Sequence, residues 1–497
     1  MTDENHRRSS NGQLPESQEF LHSLENLNLA AGEGSHNDFN FITHPQPYPP
    51  CTKPIADLKR VTLRDCALKT RHNDSYLVLR AIYSVASGRV LVNAEDQDGD
   101  LVVLYVSGQE EVLVINAELR GGTVMVIKQP CVGVVRGRAR AIRVDHVSDV
   151  VFLPLYDEHV PACWRSSTSI PGVSVNSWKE EGNLYFRQKR YREAIESYSK
   201  GLETSSTVAE AVPIRSNRAL AYIRSQQFDH ALHDAEQLLA ENNMHEKALQ
   251  RKAAALYYLG QFRESCDTYK ALARAYPENK AVKDEFNRAI ARLSEHQSGK
   301  FPFQQMQQAA ENNPRGTLDY ATYVGPVAVQ PTESCGNGLF TTAPVKAGDL
   351  LFCEKAIVYH PNGNKAKLRG FLVQKLYKTP SLHSKIADLD HGEYQRVELT
   401  EVDGKPVVDS FLVSSILERN CFKCPHSSAK TLRHAQRIGE ASVPERSRAL
   451  GLWLLASSIS HSCVENANSS FIGDMMILRA VNDIDENTEI TITCTSP

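Results

Sequence analysis

Short β-branched runs alternate with turn residues between positions 54 and 160. They read YLVLRAI (76–82), RVLVNAE (89–95), DLVVLYV (100–106), EVLVINAEL (111–119), GTVMVIK (122–128), ARAIRV (139–144) and DVVFL (149–153). Broken by DQDGD (96–100) and RGG (120–122), this rhythm predicts an all-β module of five to seven strands. Its strongest hairpin signal is Asp98-Gly99. A linker with Ser, Pro and Gly follows (161–175), and the apolar spacing then lengthens to that of amphipathic helices and recurs. The first 53 residues are polar and end in HPQPYPPC (44–51). They offer too little apolar surface to offset ordering, so a disordered tail is expected there.

The recurrence has a period. Aligning Trp178–Leu202, Arg215–Leu239 and Lys247–Leu272 superposes Gly182, Ala219 and Ala253, and likewise Tyr191, Phe228 and Phe262. Ala194, Ala231 and Ser265 match as well; the spacings are 37 and 34 residues. Small residues let paired helices cross closely, and aromatics fill the gaps between them. The pattern resembles the tetratricopeptide repeat, three units over about 174–280 with a capping helix to 295. Lys179 and Asn183 lie four apart on the first leading helix, Asn217 on the second, and Lys247 and Arg251 four apart on the third. Facing one groove, they would attract clustered carboxylates. They resemble, place by place, the carboxylate clamp of chaperone-binding tetratricopeptide domains. The implied partner is the Glu-Glu-Val-Asp C-terminus of heat-shock chaperones.

The C-terminal region, 322–497, carries two further segments. Near its start, Gly336-Asn337-Gly338 makes a tight turn ahead of Leu339-Phe340; near its end stand Ser460-His461-Ser462-Cys463-Val464-Glu465-Asn466 and Arg479-Ala480 through Glu489-Ile490-Thr491. The turn is no phosphate loop, because no Gly-Lys-Ser/Thr follows it. Together the segments resemble the SET domain of protein-lysine methyltransferases, split by an insert of about 110 residues. The resemblance implies S-adenosylmethionine as cofactor. Asn337, Gly338 and Leu339 would line it, with Ser460 and His461 at its adenine and amino-acid ends. At the place of the family's active-site tyrosine stands Cys494, whose short thiol cannot reach where a phenol oxygen would sit. Asn487 takes the place of a family glycine, and the sequence stops at Pro497, where a zinc-binding segment is expected.

The expected fold is thus multidomain: a small all-β module of the OB type (54–160), an α-helical repeat array and a mostly-β SET domain. The length of 497 residues suits about three domains. Lys plus Arg number 56 and Asp plus Glu 59, a net charge of −3, so a nucleic-acid partner would need a local basic patch. The β-module offers Tyr76, Tyr83 and Tyr105 but no Lys/Arg stripe, and such a partner is not expected. The longest apolar run, Ala449–Ile459, is far short of the ~20 residues of a membrane span. Eleven scattered cysteines suit a reducing compartment, and the chain is read as cytoplasmic, nuclear or both. Cys421-x-x-Cys424 with His426 has half of a zinc spacing, but no second pair fits it, so free thiols are expected. Two functions follow from the resemblances. One is a methyltransferase brought to its partners by the repeats, the other a non-catalytic adaptor built on the same parts.

Overall fold

The protein is described by a computed structural model over residues 46–86, 90–107, 119–134, 140–165, 174–279, 281–332, 336–397, 401–438 and 448–493. It forms two compact units. One is the β-module with 149–153 and 159–163; the other holds the remainder.

Among the described residues the β-module is one sheet of eight strands: β1 (Lys59–Val61), β2 (Ser75–Ala86), β3 (Val90–Glu95), β4 (Leu101–Val106), β5 (Val124–Lys128), β6 (Val132–Val134), β7 (Arg140–Val144) and β8 (Val150–Leu153). Their order is β6-β7-β4-β3-β2-β5-β8, with β1 paired to β2. Six of the seven apolar runs are strands; 111–118 lie outside the described residues. The count exceeds the expected five to seven because β1 and β6, three residues each, are set by backbone pairing and not by an apolar run. Alternate residues, among them Leu77, Leu79, Val92, Leu104, Met125, Ile127 and Ile142, point into one core. Asp98-Gly99 does turn between β3 and β4. Gly99 takes φ +81°, and Asp96 Oδ1 accepts the N–H groups of Asp98 and Asp100. The proline-rich segment 46–53 is ordered against this module: Cys51 is buried and Tyr48 donates its hydroxyl to Asp145. Tyr76 and Tyr105 are buried too, which withholds them from stacking on bases.

The second unit begins with three antiparallel helix pairs: α1 (Val175–Arg187) with α2 (Tyr191–Thr204), α3 (Val208–Arg224) with α4 (Phe228–Glu241), and α5 (Glu246–Tyr258) with α6 (Phe262–Ala275). Ser174, Thr207 and His245 cap the three leading helices, each accepting a first-turn N–H. The matched small residues are buried at the crossings, and Tyr191, Phe228 and Phe262 each open a second helix. At Gly182 a Cβ would meet Tyr198 Cε1 at 2.5 Å, so only glycine admits that ring between α1 and α2. Two more helices follow, α7 (Ala281–Ser298) and α8 (Phe303–Asn312).

The C-terminal domain is built from small sheets. Its strands are β9 (Tyr323–Val324), β10 (Val327–Pro331), β11 (Asn337–Thr341), β12 (Leu350–Lys355), β13 (Val358–His360), β14 (Glu401–Val402), β15 (Lys405–Pro406), β16 (Phe422–Pro425), β17 (Arg448–Leu452), β18 (Ser460–His461), β19 (Ala467–Ile472), β20 (Met475–Ala480) and β21 (Thr491–Ile492). The largest is β19-β20-β12-β9; β10 pairs with β11, and β18 runs parallel to β21. Leu339, Phe352, Trp453, Leu478 and Ile490 centre its core. The insert is helical, with α9 (Lys365–Lys378), α10 (His383–Ile386) and α11 (Ser410–Asn420) around an apolar cluster that includes Leu368, Leu372, Leu412 and Ile416. Among the described residues, no helix is long and apolar enough to cross a membrane.

Candidate functional site

Two places in the second unit gather the residues singled out in the sequence. The first is the side of the repeat array formed by the leading helices α1, α3 and α5. Asn183 on α1 and Asn217 on α3 touch, the Asn217 amide donating to Asn183 Oδ1 at 3.0 Å. The same oxygen accepts the Tyr198 hydroxyl at 2.7 Å. Both lone pairs of that oxygen are therefore in use, and the Asn183 N–H groups are what remains to offer a ligand. Lys179 stands one turn before Asn183; Lys247 and Arg251 stand one turn apart on the neighbouring α5.

Several cations of the repeats are held by carboxylates. Arg218 pairs with Asp234, Arg215 with Glu241, Lys252 with Glu236 and Arg192 with Glu196. Among the described residues, none of Lys179, Lys247 and Arg251 makes an ion pair. Burial, and then the positive charge of Arg224, lowers the basicity of Arg251. Arg224 was not singled out from the sequence. It follows Asn217 by seven residues, two turns along one face, and that spacing is the signal that finds it.

The second place, a candidate cofactor cleft, lies in the C-terminal domain where β11 and the segment of β21 meet β18. Gly336 takes φ +71°, and Gly336 and Asn337 are exposed ahead of strand β11. The N–H of Ile490 donates to the Leu339 carbonyl at 2.7 Å, and Phe340 bridges Glu489, so the glycine strand lies against the chain's last described segment. The Leu339 side chain is fully buried in the core, so it offers main chain alone to this cleft. Ser460 pairs with Thr491 across β18 and β21, and its hydroxyl donates to Glu489 Oε1 at 2.5 Å. A Cβ on Gly338 would lie 2.9 Å from that carboxylate oxygen and 2.7 Å from Thr332 Cγ2, so glycine makes room for Glu489. Glu489 thereby joins the glycine strand to Ser460, a role the sequence reading gave to no residue. Asn466 locks the same corner: its amide donates to the Glu489 carbonyl and its oxygen accepts from the Thr491 N–H, both at 2.8 Å. His461 is exposed beside it, 4.0 Å from Cys463 Sγ. Asn487 holds φ +57°, the conformation a glycine would supply at that turn. Cys494 lies outside the described residues.

Cys421 and Cys424 do not gather a zinc site with His426. The His426 ring meets the Tyr359 hydroxyl at 2.9 Å and the Ala310 carbonyl at 3.3 Å, which occupies both nitrogens. Burial pushes the Cys421 thiol up to about 11 and raises that of Cys424 as well. Among the described residues, no cluster of three or more His, Cys, Asp or Glu could hold a metal.

Residues 336–495 match the family model of the SET domain. A methyltransferase of Gibberella zeae is 33% identical over 493 residues, 93% of this chain and 68% of that protein. The Hsp70-Hsp90 organizing protein of Triticum aestivum is 25% identical over 130 residues, 26% of this chain and 22% of that protein. Among solved structures, the first tetratricopeptide domain of Spaghetti bound to the HSP90 peptide SRMEEVD is 30% identical with a TM-score of 0.23. It covers 24% of this chain and 94% of that one.

Proposed function

The chain belongs to the family of proteins that join tetratricopeptide repeats to a SET domain, and from that premise we propose an S-adenosylmethionine-dependent protein-lysine methyltransferase whose repeats grip the acidic C-terminal tail of a heat-shock chaperone. It acts in the cytoplasm, the nucleus or both. The observation that carries the gripping half is the set of cations, Lys179, Lys247 and Arg251, that make no ion pair among the described residues while Arg215, Arg218 and Lys252 on the same leading helices are paired. A C-terminal aspartate brings two carboxylates together. Lys179 and Lys247 supply charge to them, and Asn183 and Asn217 supply neutral N–H donors, the first fixed by Tyr198 and the second by its bond to Asn183. Pre-ordered donors cost little side-chain entropy on binding, which suits recognition of a flexible tail.

The catalytic half rests on the cleft and the family. S-adenosylmethionine, when bound, supplies the methyl group that a neutral lysine amine attacks in line. The donor set of the cleft fits it: exposed main chain at Gly336 and Asn337, the Ser460 hydroxyl and His461 at the neighbouring strand, and the Glu489 carboxylate between them. Glu489 adds negative charge where a cofactor bearing an ammonium and a sulfonium is to be held. Gly338 keeps that carboxylate close to the glycine strand, and Asn466 fixes the main chain on which it sits.

One residue favours a second reading, an adaptor that binds tails without transferring methyl groups. Cys494 stands where the family has its tyrosine, and loss of one positioned polar group costs roughly 10²–10³-fold in rate. The test is equilibrium dialysis of the full chain with S-adenosylmethionine, then methyl transfer to a lysine-bearing peptide by wild type and Cys494→Tyr. Cofactor binding with a faster variant supports the enzyme. If neither protein binds cofactor, the enzyme reading fails and the adaptor remains.

A further inference from the structure

The insert that splits the C-terminal domain holds a cavity of about 180 Å³ between α9, α10 and α11. Leu376, Ile386, Val408, Leu412, Val413 and Ile416 line it, and all six are buried. Three polar residues join them, each held in a different way. His383 is buried, and its Nε2–H donates to the Leu376 carbonyl at 3.1 Å. Burial lowers its basicity, so the ring stands neutral in the wall. Asp409 Oδ1 accepts the N–H groups of Phe411 and Leu412 at the start of α11, and the Tyr394 hydroxyl donates to Oδ2 at 2.9 Å. Its charge is thus answered by the helix terminus. Arg396 is held more loosely: one N–H donates to the Ala387 carbonyl at 3.0 Å, and it makes no ion pair among the described residues. Of the described lining residues only Arg396 is exposed, with Ala387 and Val397 half-buried, so the cavity opens to solvent at the guanidinium.

We propose that this cavity binds a small organic acid, its apolar body inside and its carboxylate on Arg396 at the mouth. The proposal rests on neither the tail-binding nor the methyl-transfer reading. Volume sets the body. An apolar cavity of about 150 Å³ takes a benzene ring, so 180 Å³ suits a phenyl group or a branched chain of equal bulk. Left empty, the void forfeits contacts along its walls, and water finds few partners among aliphatic side chains. Charge sets the head. An ammonium would meet the arginine as a like charge, and a neutral amide would gain a plain hydrogen bond. A carboxylate would gain charge-assisted bonds from the remaining N–H groups of the fork.

Ligand-observed NMR titrations of the full chain with phenylacetate, phenylacetamide and phenethylamine test this, on wild type, Arg396→Gln and Val413→Phe. The three compounds share one body and differ in the head. Wild type is expected to bind phenylacetate with a dissociation constant on the order of 0.1–1 mM, as suits a ligand of about ten heavy atoms. The amide and the amine should bind roughly tenfold more weakly or not at all. Arg396→Gln changes an exposed residue, keeps the wild-type melting temperature and should bring phenylacetate to the level of the amide. Val413→Phe fills the cavity from α11 and should abolish phenylacetate binding, with its melting temperature reporting that it is folded. If that variant does not fold, Arg396→Gln decides alone. Wild type that binds no phenylacetate at several millimolar overturns the proposal, and so does equal binding of all three compounds. Wild-type affinity for phenylacetate in Arg396→Gln, or in a folded Val413→Phe, puts the acid elsewhere and overturns it as well.

Discussion

Glu354 shows how a single buried group ties the C-terminal cleft to pH. It sits on β12, and its carboxylate accepts the N–H groups of Leu455 at 2.9 Å and Ala456 at 3.2 Å, fixing the turn that leads to Ser460. Burial pushes its carboxyl from the usual 4.5 up to about 7, although those donated hydrogen bonds pull it down. A carboxyl whose folded pKa lies above its unfolded value gives stability that is whole below the unfolded value and is lost as pH rises through the folded one. Glu354→Gln keeps an oxygen for the two N–H groups and cannot ionise. Relative to wild type it should gain on the order of 3 kcal/mol between pH 4.5 and 7, read from denaturant midpoints. A difference that stays flat across that window contradicts the assignment. At this scale the sequence was partly legible. Asn487 announced its positive φ, because asparagine tolerates what a turn demands. Glu489 and Arg224 were silent, because their importance comes from neighbours brought from other segments.

The helix pairs were the most legible elements, since small and aromatic residues recurring at one period leave few ways to pack. The pair α1 and α2 also carries the groove. Gly182 admits Tyr198, and Tyr198 holds Asn183. Gly182→Ala should therefore cost about 1–3 kcal/mol by overpacking and also weaken tail binding, because the tyrosine must move. Tyr198→Phe keeps the packing and should cost about 1 kcal/mol while still weakening the tail. Denaturation and calorimetry on both variants check this; a Gly182→Ala protein with wild-type affinity would break the link. The β-module was legible in its long strands and not in β1 and β6. The helical insert was unresolved in the sequence because α9, α10 and α11 bury a cluster of their own, with no repeat or motif to mark it.

In the second unit, the repeats are joined to the C-terminal domain through α7. Glu295 is buried there, accepting from Arg292 and from the N–H of Ala321 at 3.0 Å. Tyr257, on the same helix as Lys247 and Arg251, donates to Asp319, which Arg288 and Arg292 also flank. Two residues past Ala321 begins β9, which pairs with β12. Glu295→Ala would leave the Ala321 N–H without its acceptor and the Arg292 guanidinium with Asp319 as its remaining carboxylate, at a cost of about 1–3 kcal/mol. One calorimetric unfolding transition of repeats and C-terminal domain in wild type should split into two in the variant. Identical thermograms would show that the joint is not what couples them.

The central claim is that the leading-helix face of the repeats, where Lys179, Lys247 and Arg251 make no ion pair among the described residues, binds an acidic tail. The most direct measurement is calorimetry of the full chain with a peptide ending Glu-Glu-Val-Asp, beside Lys247→Ala with Arg251→Ala. Wild type should bind at micromolar concentration with an affinity that falls as salt rises, and the double variant should give no heat. Wild type that gives no heat at high micromolar peptide, or a double variant that binds as tightly, would contradict it.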